Sequence, residues 1–192
     1  MRLFVAVYPP PAVVAHLSAR ITELRIGEAA AAGVGVRLAD PTQAHVTLAF
    51  LEPVAADRLE AVERSLDQAA WRFRDSGAAP PRLHLAGSGT FGQGRSTIVW
   101  VDLRGDVAEL HLLGRLVRSR LRANHLCYDE KPLRPHLTVA RPGAELPSAE
   151  VTADVAALQA YQGPQWRARE LVLTRSHPGP RPSHERVAAW QL

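Results

Sequence analysis

AHVTLAFL (residues 44–51) is one of two stretches in this chain in which a histidine and a threonine stand two residues apart inside an apolar run. The other is PHLTVAR (residues 135–141). Alternate residues of a β-strand point to the same face, so each stretch predicts a strand that presents an imidazole beside a hydroxyl. One His-x-Thr means little in a chain with eight histidines. Two copies in apolar runs indicate a shared function.

The spacing of the two motifs predicts that the chain consists of two similar halves, because His45 and His136 are 91 residues apart in a chain of 192. Each half is too small to bury a large core alone, so we expect the halves to pack together with both motifs in the cleft between them. Hydrophobic periodicity predicts strands over 2–8, 36–38, 44–51, 82–86, 97–103, 135–141, 166–175 and 185–191, a first helix ending near residue 27, and helices over 57–73, 106–122 and 151–158.

Composition points to a globular protein of the cytoplasm. No apolar stretch approaches the roughly 20 residues that a membrane span needs, and the N-terminus lacks the basic and apolar regions of an export signal. We therefore expect no membrane association. The single Cys127 excludes an internal disulfide and a cysteine metal cluster, which favours a reducing compartment.

The basic residues are almost all arginine, since Lys131 is the only lysine among 23 basic side chains. Guanidinium groups bind phosphate through paired hydrogen bonds, which suits a phosphate-rich ligand, although genomic composition explains the same bias. A net charge of +4 fits an RNA end or a nucleotide better than a long duplex.

These motifs resemble those of the 2H phosphoesterases. The resemblance covers nearly the whole chain, from the opening RLFVAV (residues 2–7) through HVTLAFL (residues 45–51) and PHLTVAR to the late LVLTRS (residues 171–176). Within that superfamily the chain is most similar to the bacterial and archaeal RNA 2′,3′-cyclic phosphodiesterases, also described as 2′-5′ RNA ligases. One position departs from the family: Glu52 follows the first motif where glycine is usual, which puts the next turn in doubt.

The resemblance implies an α+β fold with two lobes, each an antiparallel sheet backed by helices, in one domain over residues 1–192. It also implies hydrolysis of a 2′,3′-cyclic phosphate to a 2′-phosphomonoester without a metal or other cofactor. By position, His45 matches the family's proton donor and His136 its proton acceptor. We expect the protein to act as a monomer.

The chemistry of the reaction suggests further roles. Imidazole can give or take a proton near neutral pH, and the hydroxyls of Thr47 and Thr138 can donate to the non-bridging phosphate oxygens. Arg141 is a candidate phosphate ligand and Phe50 a candidate base-stacking residue.

The other polar residues are assigned no function from the sequence. The charges of Arg134, Lys131 and Arg175 are interpreted as solvated. The six remaining histidines have no metal-ligand spacing, and the glycine-rich segment 87–94 is interpreted as a hairpin bend because it lacks the Lys-Ser/Thr of a phosphate-binding loop.

Two other functions remain open from sequence. One is the same chemistry on another substrate, such as ADP-ribose cyclic phosphate or a 2′-5′-linked oligonucleotide. The other is an RNA- or nucleotide-binding module without turnover, which the presence of both histidines disfavours because binding alone does not require them.

Overall fold

The computed structural model describes residues 1–179 and 182–192, and the second range begins just before the last strand. The strands are β1 (Arg2–Val7), β2 (Arg37–Leu38), β3 (Val46–Phe50), β4 (Arg82–Phe91), β5 (Ile98–Gly105), β6 (His136–Arg141), β7 (Trp166–Arg167), β8 (Glu170–His177) and β9 (Ser183–Gln191). The α-helices are α1 (Pro11–Thr22), α2 (Arg25–Ala31), α3 (Leu59–Asp75), α4 (Val107–Ala123) and α5 (Ser148–Gln159).

The first sheet has the strand order β3-β1-β8-β9, and all its strand pairs are antiparallel. Its central strand β1 is buried after the first residue, as its unbroken apolar run requires. Helices α3 and α4 pack together and cover this sheet. The buried stripes on these helices follow helical spacing, for example Leu66, Ala70 and Phe73 on α3.

The second sheet has the order β2-β6-β5-β4-β7, again antiparallel throughout. Helix α5 packs on β4, and α2 packs on both α5 and α1. The expected α+β class with two antiparallel sheets backed by helices is therefore confirmed. Each sheet combines strands from both halves of the chain, because β8 and β9 join β1 while β2 joins β6.

The single helix expected to end near Gly27 is wrong. The helix breaks at Leu24, which is extended, and a new helix starts at Arg25. Its first backbone N–H groups, from Arg25 and Ile26, donate to the buried carboxylate of Asp154 at 3.1 and 2.8 Å. Asp154 on α5 thus satisfies donors that a new helix start leaves without intrahelical partners.

Two other predicted elements have different limits. The segment 87–94 is not all bend, because β4 continues through it to Phe91 with a register shift between Leu85 and Ser88. Gly87 has a φ of 78° at this irregularity, which only glycine adopts readily. The strand predicted over 166–175 is two strands: β7 pairs with β4 in the second sheet, and β8 pairs with β1 in the first.

The turn after the first motif accommodates Glu52 without strain. The Glu52 N–H donates to the Cys127 carbonyl at 3.1 Å, and Leu51 forms a β-bridge with Tyr128. Among residues 1–179 and 182–192, His125 is the only non-glycine with a positive φ. Glycine is therefore not required at position 52.

Candidate active site

The two motif strands face each other across a cleft of about 1120 Å³. Strand β3 is an edge strand of the first sheet, and β6 has only the two-residue β2 outside it in the second. The cleft brings together all the residues predicted from sequence as site residues, namely His45, Thr47, Phe50, His136, Thr138 and Arg141.

Both motif histidines have the same local orientation. His45 Nδ1 lies 2.6 Å from the Gln43 carbonyl oxygen, and His136 Nδ1 lies 2.8 Å from the Arg134 carbonyl oxygen. A carbonyl oxygen only accepts hydrogen bonds, so Nδ1 carries the hydrogen in each ring. Nε2 is consequently the nitrogen that can exchange a proton with a molecule in the cleft.

The hydroxyls of the motifs lie on the same side as the imidazoles. On β3, Val46 and Leu48 are buried in the core on either side of Thr47, and on β6 Leu137 and Val139 flank Thr138 in the same way. The alternation of a β-strand therefore directs both threonines toward the cleft.

A capped turn holds the carbonyl that orients His45. The 3₁₀ turn Pro41–Gln43 is capped by Asp40, whose carboxylate accepts from the Thr42 N–H and from Gln43 Nε2, each at 2.8 Å. Hydrogen bonds from Thr42 and Gln43 lower the pKa of Asp40. The anionic side chain thus fixes the turn that presents the Gln43 carbonyl to His45.

An aromatic stack holds the corresponding carbonyl at the second motif. The Arg134 guanidinium lies 4.3 Å from the ring centroid of Trp100 and 5.5 Å from that of Phe91. The Arg134 side chain is exposed, which agrees with the interpretation of its charge as solvated, and it also packs over two aromatic faces. Gly89 makes room for this stack, since a Cβ at that position would collide with the Trp100 ring.

A helix connects the two motif segments. Arg118 on α4 donates from Nε to the Leu48 carbonyl at 3.3 Å and from a terminal nitrogen to the Lys131 carbonyl at 2.7 Å. Leu48 lies within β3, and Lys131 lies in the segment that leads into β6. One guanidinium thus ties both sides of the cleft to α4.

Comparison with known proteins identifies the family of this arrangement. The sequence model of the 2′-5′ RNA ligase superfamily matches residues 9–180. The chain belongs to this superfamily.

Two relatives in this superfamily are both named RNA 2′,3′-cyclic phosphodiesterase. The protein of Geobacillus stearothermophilus is 30% identical over 151 residues, which cover 77% of this chain but 45% of that protein. The protein of Archaeoglobus fulgidus is 29% identical over 143 residues, which cover 73% of this chain and 72% of its own length. The chain thus spans less than half the length of the first of these relatives.

Solved structures share the fold at lower identity. Escherichia coli LigT, crystallised with 3′-AMP, aligns with a TM-score of 0.72 at 22% identity and covers 100% of this chain and 97% of LigT. TT0787 of Thermus thermophilus aligns with a TM-score of 0.68 at 23% identity over 100% of this chain and 98% of that protein. These likenesses establish the two-sheet fold of the superfamily for this chain.

The cleft of this superfamily member gives its first histidine an unusual electrostatic environment. Burial lowers the pKa of His45 to about 4, helped by the nearby His184 and His136 and opposed by the hydrogen bond to Gln43. The Phe4 ring packs 4.7 Å from the His45 ring, centroid to centroid. His45 is therefore neutral at pH 7 in the absence of a nearby anion.

The rim of the cleft is basic. Three arginines line it, Arg2, Arg37 and Arg141, and Arg37 lies directly opposite Arg141 in the pairing of β2 with β6. Asp40 is the carboxylate that lines the cleft among the described residues. Like charges placed opposite each other on neighbouring strands repel, so this edge favours an anion.

Sequence reasoning missed His184, which lies on β9 and lines the same cleft. The ring centroids of His184 and His45 are 5.0 Å apart, with the planes at 77°. No local spacing predicts this contact, because the two residues are 139 positions apart in sequence. They are brought together by the β1–β8 and β8–β9 strand pairings.

Two kinds of feature are absent from residues 1–179 and 182–192. No group of three or more His, Cys, Asp or Glu side chains within 1–179 and 182–192 is arranged to hold a metal ion. Over the same ranges, no helix has the length and hydropathy of a membrane span.

Proposed function

We propose that this chain hydrolyses the 2′,3′-cyclic phosphate of RNA ends or nucleotides to a 2′-phosphomonoester, without a metal ion. The observation that carries the proposal is the pair of imidazoles, each with Nδ1 bound to a backbone carbonyl, that line one basic cleft from two sheets. The names of the relatives support the same activity. LigT structures with 3′-AMP and ATP support a nucleotide ligand.

In the proposed reaction His136 Nε2 accepts a proton from water as the water oxygen bonds to phosphorus. The bond from phosphorus to the ribose 3′-oxygen breaks, and His45 Nε2 donates its proton to that oxygen. The product keeps the phosphate on the 2′-oxygen. Each proton transfer is a task for which an imidazole is suited near neutral pH.

The donor role requires that His45 acquire a proton, because its pKa of about 4 leaves it neutral near pH 7. Its pKa of about 4 reflects burial without a counter-charge. An anion within about 4–6 Å raises the pKa of an imidazole by roughly 1–3 units. The charge of the cyclic phosphate therefore stabilises the imidazolium, so that His45 takes up a proton from solvent when the substrate binds.

The other cleft residues stabilise charge and bind the nucleotide. Thr47 and Thr138 donate their hydroxyl hydrogens to the non-bridging oxygens, where negative charge grows in the transition state. Arg141 offers a guanidinium to a phosphate oxygen. Phe50 is 52% exposed at the cleft, which leaves its ring free to stack on a base.

The same groups can act on a second nucleophile. Ligation joins an RNA 5′-hydroxyl to the phosphorus of a cyclic phosphate end: His136 accepts the 5′-hydroxyl proton and His45 donates its proton to the leaving 3′-oxygen, as in hydrolysis. The two histidines exchange roles when the 2′-5′ linkage is cleaved back to the cyclic phosphate. The proposal therefore includes reversible 2′-5′ ligation when water is replaced by a ribose hydroxyl.

The test is incubation of the purified chain with 2′,3′-cyclic AMP in the presence of EDTA, followed by chromatographic identification of the product. We expect 2′-AMP. His45→Gln and His136→Gln variants should each lose roughly a hundredfold to ten-thousandfold in kcat. His177→Gln is the matched control, because His177 pairs with Glu185 and does not line the cleft.

Other outcomes point elsewhere. A 3′-AMP product means that the 2′-oxygen, and not the 3′-oxygen, is the leaving group. Loss of activity with EDTA excludes the metal-independent reaction. Tight RNA binding without turnover of cyclic AMP indicates a binding module. Turnover of ADP-ribose cyclic phosphate or of a 2′-5′ oligonucleotide, with none of cyclic AMP, assigns the same chemistry to another substrate.

The proposal also covers the state in which the protein acts. We propose a monomeric, cytoplasmic enzyme with residues 1–192 forming one domain of two pseudo-symmetric lobes. Both motifs come from one chain, so the site is complete without a partner, and the exposed free Cys127 suits a reducing compartment. Size-exclusion chromatography with light scattering tests the monomer.

A further inference from the structure

A third imidazole lies in the cleft without a polar partner. His184 Nδ1 is buried, and no atom of residues 1–179 or 182–192 forms a hydrogen bond with it. A buried polar atom without a hydrogen bond is destabilising, and such atoms in native proteins frequently mark function. Packing alone does not account for the buried Nδ1 of His184.

At the second motif an apolar ring makes a similar contact with the motif histidine. The Phe91 ring meets the His136 ring edge-on, with centroids 4.8 Å apart and planes at 81°. His184 meets His45 in nearly the same way, at 5.0 Å and 77°. A phenyl ring thus suffices to pack against a motif histidine in this fold. The nitrogens of His184 add a polar group that packing does not require.

The surroundings of His184 determine which nitrogen can act. Nδ1 is the buried one, so Nε2 is the nitrogen available to a molecule in the cleft. An unpaired buried N–H is less well tolerated than an unpaired buried lone pair. The hydrogen therefore resides on Nε2, which makes the neutral ring a hydrogen-bond donor toward the cleft.

Protonation of His184 would place a second N–H on Nδ1, where it would be buried without an acceptor. Burial accordingly lowers the pKa of His184, although the carboxylate of Asp40 raises it in part. The ring of His45 also packs on His184, and the pKa of His45 is itself lowered to about 4. His184 is thus a neutral donor near neutral pH.

We propose that His184 is a substrate-contacting residue, which donates from Nε2 to an anionic phosphate oxygen of the nucleotide held between the two motifs. This inference rests on the proposed function, because it assumes that a phosphate occupies the cleft. His184 would add a ring donor to the hydroxyl donors Thr47 and Thr138, on the side of the cleft where His45 must gain its proton.

The test compares wild type with His184→Phe and His184→Gln. Phenylalanine keeps the ring contacts with His45 and Phe4 but removes the donor, whereas the glutamine amide restores an N–H at about the reach of Nε2. The measurements are the Kd of 2′-AMP and of inorganic phosphate by calorimetry, and kcat/KM for 2′,3′-cyclic AMP. His177→Phe is the control on the neighbouring strand.

We expect His184→Phe to weaken phosphate and 2′-AMP binding and to lower kcat/KM by roughly tenfold to a hundredfold, the range for a hydrogen bond to a charged group. His184→Gln should stay within about threefold of wild type, and none of the three variants should unfold at a clearly lower temperature than wild type. Unchanged binding by the phenylalanine variant, or equal losses in both His184 variants, overturns the inference.

The binding measurements separate this inference from the proposed function. A wild type that binds inorganic phosphate but does not hydrolyse cyclic AMP refutes the proposed function and leaves the role of His184 to be decided by the Kd values. A wild type that binds neither phosphate nor 2′-AMP refutes both.

Discussion

The titration of His45 is the most direct measure of how the cleft works. Burial should hold its pKa near 4 in the free protein, whereas an exposed histidine titrates near 6.5. An anionic ligand between the motifs should then raise this pKa by roughly 1–3 units. Replacing His45 with glutamine removes the titration while keeping a polar side chain of similar length.

The same shift makes a prediction for stability. The pKa of the histidine is near 6.5 in the unfolded chain and about 4 in the folded chain, so the unfolded chain binds a proton more readily. Protonation therefore favours unfolding. The contribution of neutral His45 to the free energy of unfolding is fully present above pH 6.5 and is lost as pH falls toward 4. With about 1.36 kcal/mol per pKa unit, the loss at pH 5 is about 2 kcal/mol relative to pH 7. His45→Gln should lack this loss.

Two measurements check the prediction. NMR titration of the histidine Cε1–H signals, with the His45 signal assigned by its absence in His45→Gln, gives the pKa with and without 2′-AMP. Urea unfolding at pH 7 and pH 5 gives the free energy of unfolding of both proteins. Thr47→Val is the control, because it alters the neighbouring motif residue without removing a titratable group.

The reasoning is refuted if His45 in the free protein titrates at or above 6.5. It is equally refuted if wild type and His45→Gln lose the same free energy of unfolding between pH 7 and pH 5. A pKa that stays near 4 with 2′-AMP bound contradicts the proposed donor role while leaving the burial argument in place.

Three further changes have distinct expected results. Phe50→Leu should raise KM for 2′,3′-cyclic AMP by roughly five- to a hundredfold, the range for loss of one base stack, with an unchanged melting temperature because Phe50 is largely exposed. Asp40→Ala should lower the free energy of unfolding by about 0.5–2 kcal/mol, measured in urea, and should also lower kcat because it frees the turn that carries Gln43. Gly89→Ala should cost about 1–3 kcal/mol of stability by thermal unfolding and lower kcat, because its methyl group displaces Trp100 beside the second motif.

The parts of the fold that could be predicted from sequence depend on local patterns. The motif strands are apolar runs with period-two alternation, and α3 and α4 carry buried residues at helical spacing, so neighbouring residues suffice to specify them. The two-sheet arrangement and the identity of the motif histidines followed from the resemblance that these local patterns carry.

The parts that could not be predicted depend on contacts between distant residues. The start of α2 depends on Asp154, which lies about 129 positions away in sequence. No residue near Leu24 predicts that the helix is interrupted there. Residues 166–175 look like one strand because each piece has strand composition, yet the chain changes sheets between them. Arg134 and His184 likewise acquire their surroundings from strands far away in sequence.

The difference between the two histidines illustrates why local sequence does not assign acid and base. Both motifs give their imidazole the same hydrogen bond from Nδ1 to a carbonyl two residues earlier, so the local geometry is symmetric. The surroundings of each ring come from the sheets. At His45, burial lowers the pKa to about 4, and the rings of Phe4 and His184 pack against the imidazole.

An imidazolium with a low pKa is a strong acid, so once protonated it transfers its proton to a leaving oxygen more readily than an ordinary histidine does. Few protein molecules carry a protonated His45 before substrate binds. The charge of the bound phosphate raises that fraction once substrate occupies the cleft. Burial of His45 therefore suits it to donate a proton in the presence of substrate while leaving it neutral in the free protein.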